Sequence, residues 1–303
     1  MSTPQSLIDI FQPSSKKDKP AQEQLLKDTI SLMQKVPAGR EALKNIEDLG
    51  YNIVFESGIN AGGFCDSDNK VVTLSADYYN SAEELSPILV HEMQHAVQAT
   101  TFEEDFFGTS IASTMKYRFA QEADACAHET AFMYQARQLG IDVAVFDEYE
   151  NAYKIYQENY EKGDPEKAMN NTFKAWYDEA GRYEWYSKYY ADAFVEMGKS
   201  GEKHSLKKVL SNKEITDSLL FEGKPYVEPS FLSTPEAFSM TNENKKRIIK
   251  ATHQMAPKGE KPDASVFAMY TRTKDGKITD KRCAGKQQQL SAAEIKKRRE
   301  MGR

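Results

Sequence analysis

Apolar positions along the chain follow two rhythms, one near 3.6 residues and one near two, and the switches between them mark its elements. In AQEQLLKDTISLMQKV, Leu25, Leu26, Ile30 and Met33 keep helical spacing. Pro37-Ala38-Gly39 interrupts it, and REALKNIEDLG resumes as a shorter helix stopped by Gly50. YNIVFES and KVVTLS are rich in β-branched and aromatic residues and predict two strands. The intervening GINAGGFCDSDNK is dense in Gly, Asn and Asp and predicts a loop. Val71–Leu74 is then either an edge strand open to an extended ligand or one arm of a core hairpin.

SPILVHEMQHAVQAT follows. Ile88, Leu89, Val90, Met93, Ala96 and Val97 cover most of a helix's circumference, the mark of a buried helix. Its start has two readings. Ser81-Ala82-Glu83-Glu84 is a capping-box pattern, yet Pro87, six positions in, would cost an internal hydrogen bond. A helix starting at Pro87 and capped by Ser86 avoids that cost and is preferred. It would place Glu92 near the positive end of the helix dipole. An acidic aromatic loop, TTFEEDFFGTSIA, leads to a long proline-free helix, STMKYRFAQEADACAHETAFMYQARQLG, with Ser113 as cap and Gly140 as stop.

From Val145 the apolar stripe turns aromatic. Phe146, Tyr149, Tyr153, Tyr156 and Tyr160 share one helix face. Met169, Phe173, Trp176 and Ala180 form a second stripe, and Tyr183, Tyr186, Tyr190 and Phe194 a third. These read as helical layers of a core rather than as a partner platform. Further on, TNENKKRIIKATHQ predicts a helix capped by Thr241 or Asn242, and a hairpin is expected to turn at Asp275-Gly276. LSAAEIKKRREMGR reads as a short basic helix with a Ser-x-x-Glu cap or, preferred, as a frayed terminus. The fold class expected is α+β and predominantly helical, with a small hairpin or sheet packed on a helix pair and an aromatic-rich helical region after it. The segments expected are a flexible arm over 1–20, a metal-binding domain over 21–142, the aromatic region over 143–256 and a basic, partly disordered tail over 257–303.

Composition adds limits. The 303 residues suffice for one large or two small domains. Cys65, Cys126 and Cys283 are odd in number and far apart, so they build neither a disulfide framework nor a C-x-x-C clip, and a reducing compartment is expected. From Ala256 onward there are 13 Lys/Arg against 6 Asp/Glu; with a net charge of −6, the rest of the chain carries −13. An acidic body with a basic tail does not suggest a nucleic-acid-binding domain, and no nucleic-acid partner is expected. There is no apolar run of membrane-spanning length, and the N-terminus lacks a basic start followed by an apolar stretch. A cytoplasmic protein is therefore expected, with export lacking a cleaved signal as the alternative.

The chemistry concentrates at His91-Glu92-Met93-Gln94-His95. Four residues separate the two imidazoles, so they share a helix face and can hold one metal ion, while Glu92 stands beside them as a base. Two of the chain's five histidines fall here. A catalytic zinc takes three protein ligands and keeps one position open. Glu122, Asp124, His128 and Glu129 on the next helix are candidates for the third. Glu122 is preferred, because Ala120, Ala123, Ala125 and Ala127 allow close helix approach, with His128 second. Asp124 is a candidate to orient a ligand histidine. Tyr183, Tyr186 and His204 are candidates to stabilise an oxyanion.

LVHEMQHAVQ followed by QEADACA resembles the gluzincin class of zinc metallopeptidases and, more narrowly, an uncharacterised family of bacterial metallopeptidases with H-E-x-x-H-A-x-Q and a downstream E-A-D-A. The resemblance covers about residues 81–135. It implies His91, His95 and Glu122 as zinc ligands, Glu92 as catalytic base, and a peptide or protein as substrate. One departure stands out: where thermolysin-like members carry Asp four residues after the ligand Glu, this chain has Cys126. Two alternatives remain open: a catalytically inactive metal-binding interaction protein, and a zinc hydrolase of a non-peptide amide. Oligomeric state is not legible.

Overall fold

The computed structural model describes residues 11–12, 19–102 and 105–279. It divides into two compact units, one of residues 1–103 with 124–173 and one of residues 104–123 with 174–303. The fold is α+β and predominantly helical.

In the first unit, α1 (Lys19–Met33) and α2 (Pro37–Leu49) pack on α3 (Ala82–Thr101). Pro37 opens α2, where its missing N–H is not needed, and Gly50 closes it at φ 70° with its N–H on the carbonyls of Ile46 and Glu47. A four-stranded sheet has the order β1-β2-β4-β3, from β1 (Phe11–Gln12), β2 (Asn52–Glu56), β3 (Gly63–Asp66) and β4 (Val71–Ser75). β4 runs parallel to β2, with Ile53 opposite Val72, and antiparallel to β3, with Cys65 opposite Val72. Leu26, Ile30, Met33, Ile46, Ile53, Phe55, Val72, Leu74, Leu85 and Leu89 form the core between helices and sheet.

Two expectations are corrected here. Val71–Leu74 is an interior strand, with β2 on one side and β3 on the other; the edges of the sheet are β1 and β3. And β3 lies in the stretch expected to be all loop. Its glycine is there for space: a side-chain carbon on Gly63 would stand 2.9 Å from the Thr73 carbonyl and 3.0 Å from Cγ of Glu92. Glycine in a strand marks such close approaches.

The start of α3 is also corrected. The helix begins at Ala82, and the Ser81 hydroxyl accepts from the N–H of Glu84 at 3.3 Å. Pro87 lies inside it. The carbonyl that proline leaves without its helical donor belongs to Glu83, and the N–H of Ala144 supplies that hydrogen bond at 3.2 Å. Glu92 is therefore almost three turns into the helix, beyond the reach of its N-terminal dipole.

The second helix of interest, α4, spans Ile111–Gln138 without a break, and the dividing point between the units falls inside it. It is buried nearly all round. Its first free amides, on Ile111 and Ala112, donate to Asp263 and Ser265, about 150 residues away in sequence, so the start falls two residues before Ser113. Gly140 ends it at φ 75°. Two more helices, α5 (Glu150–Tyr160) and α6 (Pro165–Trp176), follow. Tyr134 packs against Tyr153, Tyr156 and Tyr160, and of the first aromatic stripe Tyr149 and Tyr156 are buried in the core while Tyr160 is exposed.

In the second unit, α7 (Ala180–Ser200) packs along α9 (Asn242–Met255), with the short α8 (Asn212–Thr216) between them in sequence. There is a two-strand ribbon, β5 (Leu220–Phe221) with β6 (Lys224–Pro225), and a sheet of β7 (Ser239–Thr241), β8 (Tyr270–Arg272) and β9 (Ile278–Thr279). Thr241 caps α9, and β8 and β9 form the expected hairpin through Asp275-Gly276. Phe119, Trp176, Tyr177 and Tyr183 are fully buried together. Arg272 lies 3.8 Å from the Tyr183 ring centre and donates to Ser239 Oγ and to the carbonyls of Tyr177 and Glu236, which is how a buried guanidinium is accommodated.

Phe11–Gln12 pairs parallel with β2, and α1 starts at Lys19, within the stretch read as an arm. The rest of that arm, Cys283 and the basic C-terminal segment lie outside the described residues. Among the described residues, no helix is long and apolar enough to cross a membrane.

Candidate metal centre

Helix α3 carries His91, Glu92 and His95, and α4 carries Glu122. The structure brings His91, His95 and Glu122 together, with one ligand atom from each lying within 4.8 Å of the others. All three are half-buried, so the cluster is reachable from solvent. The imidazole rings meet edge to face at 5.0 Å between centres. Glu92 is 6% exposed, with its carboxylate alongside Gly63 of the edge strand.

The partners of the two imidazoles fix their tautomers. Nδ1 of His91 lies 3.0 Å from Oε2 of Glu129, a fully buried carboxylate. A carboxylate accepts, so this Nδ1 carries the proton. Nδ1 of His95 lies 2.8 Å from Oε1 of Gln98. The amide's orientation is set by its other end, because Gln98 Nε2 donates to Asp124 Oδ2 at 2.7 Å. Oε1 must therefore face His95, and His95 Nδ1 also carries its proton. Gln94, one turn before Gln98, donates to the same Asp124 oxygen at 2.7 Å. In each ring Nε2 is thus the nitrogen suited to coordinate a metal, the arrangement seen where imidazoles hold one. Two imidazole nitrogens and a carboxylate oxygen form a donor set suited to zinc. The residues present fit such an ion.

Sequence reasoning missed part of this. Asp124 was a candidate partner for a ligand histidine; it acts on His95 through Gln98 rather than directly. Glu129, in the sequence a candidate for the third ligand, is instead the partner of His91. It lies seven residues after Glu122, two helical turns along the same helix. His128 stands 3.6 Å from Asp124 and lines a small cavity with Gln94, Met93, Val90 and Glu41. Tyr183 donates to the Ser239 carbonyl at 2.7 Å, Tyr186 packs on Trp176, and His204 stacks on Phe107, so packing accounts for the positions of all three.

The charge of Glu92 acts on two more side chains. Burial, reinforced by the charge of Glu92, pushes the Cys65 thiol up to about 12, although a hydrogen bond with Tyr51 pulls the other way. Burial and then the charges of Glu129, Glu92 and Glu148 raise the Tyr79 phenol well above its ordinary value. In the sequence Cys65 stands out only as a thiol in a Gly-rich stretch upstream of the histidines, and Tyr79 does not stand out.

The family described as "Putative metallopeptidase family (DUF6782)" matches residues 5–225, and the chain belongs to it. No curated protein and no solved structure matches the chain.

Proposed function

We propose that this member of the metallopeptidase family is a zinc-dependent peptidase in which His91, His95 and Glu122 hold the ion and Glu92 is the general base. The observation that carries this is the convergence of the three ligand atoms within 4.8 Å, with both Nδ1 positions already engaged. The ion, when bound, supplies Lewis acidity, bringing the pKa of a water molecule down to about 7 and polarising a carbonyl. The remaining steps belong to the chain. The Glu92 carboxylate takes a proton from the attacking water and delivers it to the leaving amine as the peptide bond breaks. Its near-complete burial keeps bulk water from competing for that proton.

Substrate binding is assigned to β3. Its inner side pairs with β4, and among the described residues no strand pairs with its outer side. That outer edge is suited to an extended peptide by main-chain hydrogen bonds, with Gly63 keeping the backbone close to Glu92. Phe64, exposed on this strand, is suited to contact a substrate side chain.

The test is digestion of an unbiased peptide library by zinc-loaded protein, with His91→Ala as control. Sequence-dependent cleavage by the wild type and none by the variant is expected. Metal binding at one equivalent with no cleavage of any peptide would instead favour an inactive binding protein.

A further inference from the structure

Helix α9, in the second unit, carries four Lys and Arg against a single Glu. Glu243 is taken by Lys274 at 2.9 Å, and Arg247 by Asp192. Lys246 and Lys250 are exposed and have no ion pair among the described residues. With Ile249 and His253 they recur at spacings of three and four, so these four side chains share one helix face.

That face is one wall of a groove of about 560 Å³. The other wall comes from the 3-10 turn Ser265–Ala268 and from β8, which contribute Phe267 and Thr271. Phe267 is 60% exposed, and the fold holds it so. Val266 and Met269, three residues apart and on one side of the turn, are fully buried, which turns Phe267 outward. Lys245, buried within α9, ties the walls together, because its ammonium donates to the Met269 carbonyl. The groove is therefore built before anything occupies it, at a volume within the range of about 300–1,000 Å³ that ligand sites span.

Charge, spacing and apolar surface decide what fits. Lys246 and Lys250 are four residues apart, about 6 Å along the helix axis. Alternate side chains of an extended chain stand about 6.6 Å apart on one side. Two acidic residues separated by one other thus match the lysine pair, whereas a ligand with a single anionic group leaves one lysine unused. Ile249 and Phe267 call for a large apolar side chain beside those acids. The chain's own C-terminal end does not meet this description, since residues 280–303 hold 8 Lys/Arg against 3 Asp/Glu.

We propose that this groove docks an acidic peptide segment of another protein, with acidic residues at alternate positions and a large apolar side chain beside them. The lysines attract the segment and set its register, and the apolar surface of Ile249 and Phe267 anchors it. The proposal goes beyond the peptidase reading and stands apart from it, because docking is read with no metal bound.

The test uses the full chain as Glu92→Gln, without metal, so that the probe stays intact. Fluorescence anisotropy follows a labelled peptide carrying Glu at alternate positions and one Phe. Saturable binding at one equivalent is expected, weakening as salt is raised. Lys246→Ala/Lys250→Ala should bind about tenfold more weakly and lose most of the salt dependence. Phe267→Ala should also bind about tenfold more weakly but keep the salt dependence. All three positions are exposed, so the melting temperature should stay near that of the parent protein. His91→Ala, at the metal centre, should bind the peptide as the parent does.

The proposal is overturned if the peptide does not bind, if its Gln-for-Glu counterpart binds equally well, or if the lysine and Phe267 variants bind it undiminished. Tighter binding of phosphatidylserine vesicles or of a single-stranded oligonucleotide, lost in the same variants, would overturn it by assigning the groove to a membrane or to nucleic acid. Phe267-dependent dimerisation in sedimentation without peptide would overturn it by assigning the groove to a second copy. Loss of peptide binding in His91→Ala alone would place the peptide at the metal centre instead.

Discussion

Removing the Glu129 carboxylate should separate metal affinity from folding stability. Glu129 Oε2 accepts from Nδ1 of His91 at 3.0 Å in a fully buried setting. A hydrogen bond to a charged group in such a place contributes about 1.5–3 kcal/mol. Loss of an outer partner of a metal ligand typically costs about 10–100-fold in affinity, which is about 1.4–2.8 kcal/mol at 1.4 per tenfold. The two ranges agree. Glu129→Ala, which leaves the Nδ1 proton without an acceptor, should fall near the upper end, with zinc binding about 10²-fold weaker. Glu129→Gln keeps an acceptor and loses the charge, so about tenfold is expected. Folding of the metal-free protein should respond differently. Glu129 there is a buried carboxylate with one oxygen unpaired, and its removal gives back part of what it gains. The melting temperature without metal should therefore change little while affinity falls. Chelator competition and thermal unfolding, run on the same preparations, read both. Affinity within twofold of wild type in Glu129→Ala would refute the reasoning, since it would mean that His91 is oriented by something else.

Other expectations follow from groups whose ionisation is shifted. With its thiol pushed up to about 12, Cys65 should be alkylated slowly at pH 8, and Glu92→Gln, which removes the second cause of the shift, should speed the reaction; peptide-level mass spectrometry reads the rate, and an unchanged rate would detach Cys65 from Glu92. In the second unit, burial lowers Lys116 from 10.5 to about 8, although it donates to Asn212 and lies 4.4 Å from the Phe238 ring centre. Between pH 8 and 10.5 the unfolded chain binds more protons than the folded one at this site, so its burial penalty is full below pH 8 and fades as pH rises. The melting temperature of Lys116→Met relative to wild type should accordingly be higher at pH 7 than at pH 10, and a difference independent of pH would contradict this.

The parts of the fold legible in the sequence were those set by local chemistry. Gly50 and Gly140 end helices because only left-handed backbone fits there, and Asn52–Glu56 and Val71–Ser75 form strands from their β-branched residues. His91, His95 and Glu122 could be grouped because two candidate ligands lie one turn apart and the third falls on the next long helix. What escaped was set by distant groups. Gly63–Asp66 reads as loop because the reason for its glycine is the Glu92 side chain on another element. Pro87 reads as a helix start because the N–H that replaces its own comes from Ala144. The amides opening α4 are capped from Asp263 and Ser265, a partnership no local pattern announces. Glu129 could have been suspected, since it is two turns from Glu122 on the same helix, but spacing alone did not distinguish a ligand from a ligand's partner. Tyr79 gave no signal at all, because its placement depends on the room left at Gly62.

The central claim, that Glu92 is the base beside a zinc held by His91, His95 and Glu122, is tested most directly by Glu92→Gln. Zinc content and peptide turnover should be measured on one preparation. The account predicts one equivalent of zinc, as in the wild type, with kcat lower by about 10²–10⁴-fold, the share that general base catalysis supplies. Full zinc with undiminished turnover would contradict it.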